Sequence, residues 1–204
     1  MSTKTFLRTV FIAWLLSCSL LAHAHIIHNR YFAKVHAGES FFHSLTFQNS
    51  STSPTKVHLG RKGVTLGVSA GYIAYPDTRV SIELSSRMCT VDSSETSVEK
   101  LVTRAAFANV SYDVLKTGTA TPYILAGAGY AQLTPKNNSA TSFITKHAGV
   151  ALLCGVGSRF AISNTSSIDI SYKYIYFGRP EIKSQGAKKR ILAHEGSIGF
   201  VTRF

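Results

Sequence analysis

Apolar and polar residues alternate along most of this chain with a period of two, the spacing that sends successive side chains to opposite faces of a strand. From Ser167 to Phe177, Ile168, Ile170, Tyr172, Tyr174 and Tyr176 share one face, while Asp169, Ser171 and Lys173 share the other. Thr78–Ser86 repeats the arrangement, with Val80, Ile82 and Leu84 set against Arg79, Ser81, Glu83 and Ser85. The stretch Gly196–Phe204 places Ile198, Phe200, Thr202 and Phe204 on one side and Ser197, Gly199, Val201 and Arg203 on the other. Charges of both signs therefore fall at strand centres, always on the face that is not greasy. A soluble β-sandwich rarely buries Arg, Glu, Asp and Lys there, because each would lose its hydration. A membrane barrel does so routinely, with lipid outside and a polar interior. The pattern predicts an all-β fold, a transmembrane eight-stranded antiparallel up-and-down β-barrel.

The predicted strands are Arg30–Phe47, Val64–Tyr75, Thr78–Cys89, Leu101–Leu115, Pro122–Leu133, His147–Ile162, Ser167–Phe177 and Ile191–Phe204. Their connections alternate in length. Pro76–Asp77, Lys116–Thr121 and Ser163–Ser166 are short and rich in turn residues. Gln48–Gly63, Thr90–Lys100, Thr134–Lys146 and Gly178–Arg190 are longer and polar. Short turns on one rim and long loops on the other are the asymmetry of an outer-membrane barrel, with turns and termini expected in the periplasm and loops outside. Glycines recur inside the strands, at Gly67, Gly71, Gly127, Gly129, Gly155, Gly157 and Gly199. In a tightly curved barrel they leave room for bulky inward side chains.

The N-terminus changes the picture of which residues fold. Lys4 and Arg8 precede an apolar run from Thr9 to Leu16, continued through Ala22, and Ala22–Ala24 offers an A-x-A cleavage site. Residues 1–24 are expected to be a cleaved signal peptide and residues 25–204 the barrel. Ser17 and Ser19 interrupt the run before it reaches the ~20 residues of a spanning helix. Cleavage before a lipidated Cys18 is the alternative processing, although its apolar region would be unusually short.

Without the leader the chain carries 20 basic and 10 acidic residues. Such a balance often signals nucleic acid, but an exported chain does not meet it, and anionic lipopolysaccharide or acidic host glycans are the expected partners. The basic residues gather in two of the long connections. Lys56, His58, Arg61 and Lys62 lie in the first, and Arg179, Lys183, Lys188, Lys189 and Arg190 in the last. They are candidates for an extracellular ligand-binding crown that would hold host-cell glycans or proteins, or simply a lipopolysaccharide-compatible rim.

Catalytic and metal chemistry find little support. Cys89 and Cys154 are expected as two free thiols, with Cys154 facing lipid in phase with Val150, Leu152 and Val156. The histidines, His25, His28, His36, His43, His58, His147 and His194, form no H-E-x-x-H motif or close Cys/His set. His43–Ser44 and His194–Glu195 are adjacent pairs whose members point to opposite faces, and Ser197 lies opposite His194 as well. No enzyme, cofactor or metal is expected. Arg79, Glu83, Asp113, Arg159, Asp169 and Lys173 are read as an internal network of paired charges filling an interior too narrow for a wide pore. A small-solute channel is the second reading, and a lipid-modifying hydrolase the third.

Several motifs also follow one another in a familiar order. Gly67–Tyr72 precedes Arg79–Glu83, then Asn109–Asp113, then Thr121–Tyr130 (TPYILAGAGY), Ala148–Arg159, Ile170–Tyr174 and His194–Gly199 before the terminal Phe204. Together they resemble the opacity-type, OmpA-like surface proteins, especially the major surface antigens of obligate intracellular, arthropod-borne (rickettsial-type) bacteria. The resemblance implies an eight-stranded outer-membrane barrel acting as a surface antigen or adhesin. It also implies that Phe204 is read by the barrel-assembly machinery. Thr202 departs from the family, in which an aromatic is common at that position, and the loops are short beside those of the larger antigens.

Overall fold

The computed structural model describes residues 30–43, 45–46, 56–92, 99–115, 119–136, 147–178 and 190–204. All regular structure among them is strand: β1 (Tyr31–Phe42), β2 (Leu45–Thr46), β3 (Lys56–Tyr75), β4 (Thr78–Asp92), β5 (Glu99–Asp113), β6 (Ala120–Lys136), β7 (His147–Ala161), β8 (Ser166–Tyr176) and β9 (Leu192–Arg203). β1 and β3–β9 are the eight staves, each antiparallel to the next, and β1 pairs with both β3 and β9. That double pairing closes the wall and removes the exposed edges that an open sheet of such strands would present.

The register sets the barrel's width. Moving from Phe32 through its registered partners Gly71, Ser81, Asn109, Gly127, Leu153, Ile175 and Ala193 leads back to Phe42, ten residues up the same strand. Eight strands with that stagger tilt by about 40° and enclose a wall of about 8 Å radius. Side chains from opposite staves therefore meet across the axis.

The alternation divides outside from inside as the sequence predicts. Ile82, Leu84, Val150, Val156, Ile170 and Ile198 are each at least half exposed on the outer wall, where lipid replaces water. Asp169, Ser171 and Lys173 are between 1% and 3% exposed inside. Two aromatic belts bracket the apolar band, as membrane interfaces require. Tyr31, Tyr75, Tyr112 and Phe160 are exposed at the rim that carries the short turns, and Phe41 and Tyr130 lie toward the other rim. At the seam between β9 and β1, Phe204 N donates to Tyr31 O at 3.0 Å, and the two rings stack with centroids 6.4 Å apart.

Glycine solves a crowding problem at specific places. A Cβ on Gly71 would run into the Phe32 ring, and one on Gly157 into the Tyr123 ring. In both cases the aromatic is the registered cross-strand partner and lies over the bare backbone. Gly157→Ala is expected to push Tyr123 away from Asp169 and cost about 1–3 kcal/mol. Urea unfolding of the refolded barrel measures the loss, and an unchanged midpoint contradicts this role.

The strand limits differ from expectation mainly at the rim with long connections. β3 begins at Lys56, not Val64, and β4 continues to Asp92, past Cys89. β1 ends at Phe42 rather than Phe47, although Leu45 and Thr46 pair with Val57 and Lys56. The ladder prolongs itself there because β3 and β4 satisfy each other's backbone groups beyond the lipid band. A register shift between Leu59 and Gly63 absorbs the mismatch.

Candidate functional site

Two regions carry the chemistry of this molecule, the lumen and the rim above it. The inward residues of every stave build the lumen in layers. Nearest the short turns, Asp113 accepts hydrogen bonds from Arg79 at 3.1 Å and from Arg159. The guanidinium of Arg159 also lies 4.5 Å from the Tyr123 ring centroid. Next, Asp169 accepts from Lys34 Nζ at 2.5 Å and from Tyr123 OH at 2.8 Å.

Above these layers, Lys173 Nζ donates to both oxygens of Glu83, at 2.7 and 2.9 Å, and lies 3.3 Å from Glu195 Oε1. The second oxygen of Glu195 accepts from Arg87 Nε at 2.6 Å, and Arg87 Nη1 donates to Ser85 Oγ at 2.9 Å. Asn109 Nδ2 donates to Glu83 at 3.3 Å. Charges this deeply buried persist only when partnered, since removing one leaves its partner dehydrated and uncompensated.

Toward the rim with long connections the lumen becomes apolar. Phe42, Cys89, Leu101, Leu133, Leu153, Ile175, Phe177 and Ile191 are all 5% exposed or less. Phe42 and Phe177 stack with centroids 6.0 Å apart, and Arg87 sits 5.5 Å from the Phe177 ring, joining the two zones. The interior is thus charged in one half and greasy in the other, where the sequence suggested a polar filling throughout.

All six predicted lumen residues, Arg79, Glu83, Asp113, Arg159, Asp169 and Lys173, are buried and belong to these networks. Lys34, His36, Arg87 and Glu195 complete them; Lys34 and Arg87 were not singled out from the sequence, and His36 and Glu195 were weighed there only for metal or catalytic chemistry. The signal was present for Arg87, which shares a strand face with Glu83 and Ser85. Glu195 faces inward and His194 outward, and Ser197 bonds to Ser171 at 2.9 Å inside the lumen. His194 thus lies on the opposite side of the wall from Glu195 and Ser197, while Ser44 lies outside the described residues. Cys89 is buried in the lumen and Cys154 exposed on the outer wall, and both are free thiols.

Among the described residues, one group brings three metal-type ligands together. His36, Glu83 and Glu195 bring ligand atoms within 4.8 Å of one another, all buried. The Lys173 ammonium already bonds to one of these carboxylates and contacts the other. A divalent ion would add charge to a site that Lys173 and Arg87 already balance, so these residues do not fit a metal.

The basic crown is only partly placed. Lys56, His58 and Arg61 stand on β3, with His58 in register opposite Asp92, which corrects their assignment to a loop. Lys62 and Arg190 are exposed. Arg179, Lys183, Lys188 and Lys189 lie outside the described residues, as do the leader 1–24 and the alternative Cys18.

The family model of the outer membrane protein beta-barrel domain matches residues 10–204. Among solved structures, neisserial surface protein A (NspA) is similar with a TM-score of 0.63 and 18% identity, over 85% of this chain and 97% of that one. OprG of Pseudomonas aeruginosa gives 0.61 and 11%, over 87% and 97%. AlkL, determined in lipid bilayers, gives 0.60 and 17%, over 87% and 92%. No protein with a curated description matches the sequence. Closed antiparallel staves, a lipid-facing belt and a charged lumen agree with the matched model, and the chain belongs to the outer membrane protein beta-barrel domain family.

Proposed function

We propose that this protein is a surface antigen or adhesin of the bacterial outer membrane, holding its turns and termini in the periplasm and its long basic connections outside. The observation that carries this reading is the filled lumen. A solute entering from the loop rim meets the Phe42–Phe177 stack and the fully buried Ile175 and Leu133. Beyond them stand carboxylates whose charges are already neutralised by Lys173, Arg87 and Lys34. Such a barrel serves as a plug and a scaffold, and its accessible chemistry lies in the connections. Its partners in this reading are outer-membrane lipid, lipopolysaccharide and acidic glycans or proteins of a host cell. The barrel-assembly machinery would recognise it through Phe204. The likeness to surface antigens of arthropod-borne intracellular bacteria belongs to the same proposal.

The test is attachment to host cells of a non-adherent Gram-negative cell displaying the protein, with and without heparin. Attachment abolished by heparin is expected. Replacing Lys188, Lys189 and Arg190 together by glutamine should lower attachment severalfold and flatten its salt dependence, because counterion-screened contacts are removed. No attachment, with surface display verified by protease shaving, overturns the adhesin. Stepwise conductance of the refolded barrel in a planar bilayer would instead establish the channel.

A further inference from the structure

At the top of the seam between β1 and β9, the outer wall carries two histidines from distant parts of the chain. His43 Nε2 lies 3.1 Å from His194 Nε2, with 151 residues between them in sequence. Both backbones are pinned. His194 is inside β9, and His43 N donates to Leu192 O at 3.0 Å. On the other side of His194, Tyr172 OH shares a hydrogen bond with Nδ1. The Tyr174 ring packs against the same imidazole, with centroids 5.0 Å apart. His194 is therefore oriented on one nitrogen and aims the other at His43.

We propose that His43 and His194 form a binding site for a divalent transition-metal ion, with Zn²⁺ as the natural case. Tetrahedral zinc with Zn–N bonds of 2.0–2.1 Å holds two nitrogens about 3.3 Å apart, so the rings need to part by only a few tenths of an ångström. The hydrogen bond from Nδ1 to a neighbouring oxygen is the contact that metal-bound imidazoles use to fix their tautomer, here supplied by Tyr172. With Nδ1–H donated to that phenol oxygen, the lone pair of His194 Nε2 is free for the ion. His43 presents its Nε2 lone pair in the tautomer protonated at Nδ1. No proton is gained or lost in this rearrangement; each imidazole stays neutral.

Glu39, exposed on β1, is the acidic group that stands in register with Gly196, two residues along β9 from His194, and exposed Arg190 lies four residues before His194. Nothing lies within 4 Å of the place a side chain on Gly196 would occupy, so the wall below His194 is open. Two protein ligands leave positions for water or for phosphate oxygens of lipid headgroups at this rim. Bound there, the ion would tie the last ladder rungs of β1 to β9 and so reinforce the closure of the barrel. This inference is independent of whether the loops bind host cells.

Zn²⁺ titrated by calorimetry into the refolded full chain in detergent micelles tests it. Heat-modifiable migration on gels establishes that each variant has folded. Wild-type protein should bind one Zn²⁺ equivalent that His43→Ala and His194→Ala each weaken at least tenfold, and that the double variant weakens no further. Tyr172→Phe should weaken binding about tenfold, because the imidazole loses its orienting bond. His147→Ala, at a histidine on β7, should leave the equivalent intact. Cu²⁺ on the same protein should show two equatorial nitrogens by electron paramagnetic resonance, falling to one in either single variant. No Zn²⁺ binding by the wild type, or binding unchanged in both alanine variants, overturns the proposal. Both histidines point away from the lumen, and glutamine variants provide a second pair if the alanines fold poorly.

Discussion

Lys173→Met lowers the stability of the folded barrel by about 3–5 kcal/mol, the cost of removing one partner from a buried ion pair. The ammonium sits between two carboxylates, donating to both oxygens of Glu83 and lying 3.3 Å from Glu195. A thioether of similar length fills the volume without bringing a charge. Glu195 keeps Arg87 at 2.6 Å, but Glu83 is left with Asn109 and with His36 at 3.7 Å. Two buried carboxylates then face each other without the cation between them. Urea unfolding in micelles, followed by the shift in gel mobility, reads the loss. The double variant Lys173→Met/Glu83→Gln should recover a large part of it, since the uncompensated charge is gone and the amide can still hydrogen-bond. A single variant that unfolds at the wild-type urea concentration would show that the network carries no net stability. No recovery in the double variant would place the loss in packing instead of charge.

The outer wall gives the second large effect. Ile82 is 65% exposed, opposite Ala70 on β3 and Ala108 on β5. Five residues above Asp77 on a strand tilted by about 40°, it stands about 12 Å from the turn rim, close to the middle of an apolar band ~25 Å tall. Ile82→Arg is expected to destabilise the barrel in lipid by about 2–4 kcal/mol, whereas Tyr75→Arg in the interfacial belt should cost about 0–1 kcal/mol. Tyr75 is 71% exposed, so exposure alone predicts no such contrast; depth in the membrane does. Reversible unfolding from phospholipid vesicles, with both variants in one series, measures it. Equal penalties at the two positions would mean that this wall is not seated in lipid as described.

Much of this protein was determined by its sequence alone, because a period of two assigns faces before any partner is known. Ile168, Ile170 and Tyr172 had to lie opposite Asp169, Ser171 and Lys173 wherever β8 was placed, and so they do. Turn residues at Pro76–Asp77 and Ser163–Ser166 likewise set the strand count and direction. The apolar character of the upper lumen was harder to read. From Tyr174 to Phe177 both faces are greasy, so composition no longer tells lipid from interior, and only the phase carried up from Asp169 and Lys173 puts Ile175 and Phe177 inward. The closed wall shows that they belong to one buried apolar cluster with Phe42, Leu133 and Ile191.

Pairing is a further step that no local pattern contains. Arg87 meets Glu195 across 108 residues, and His43 meets His194 across 151. Both encounters follow from the ten-residue stagger with which the eight staves close, since that stagger decides which side chains share a height. Strand periodicity thus determined which residues face inward, and barrel closure decided which of them touch.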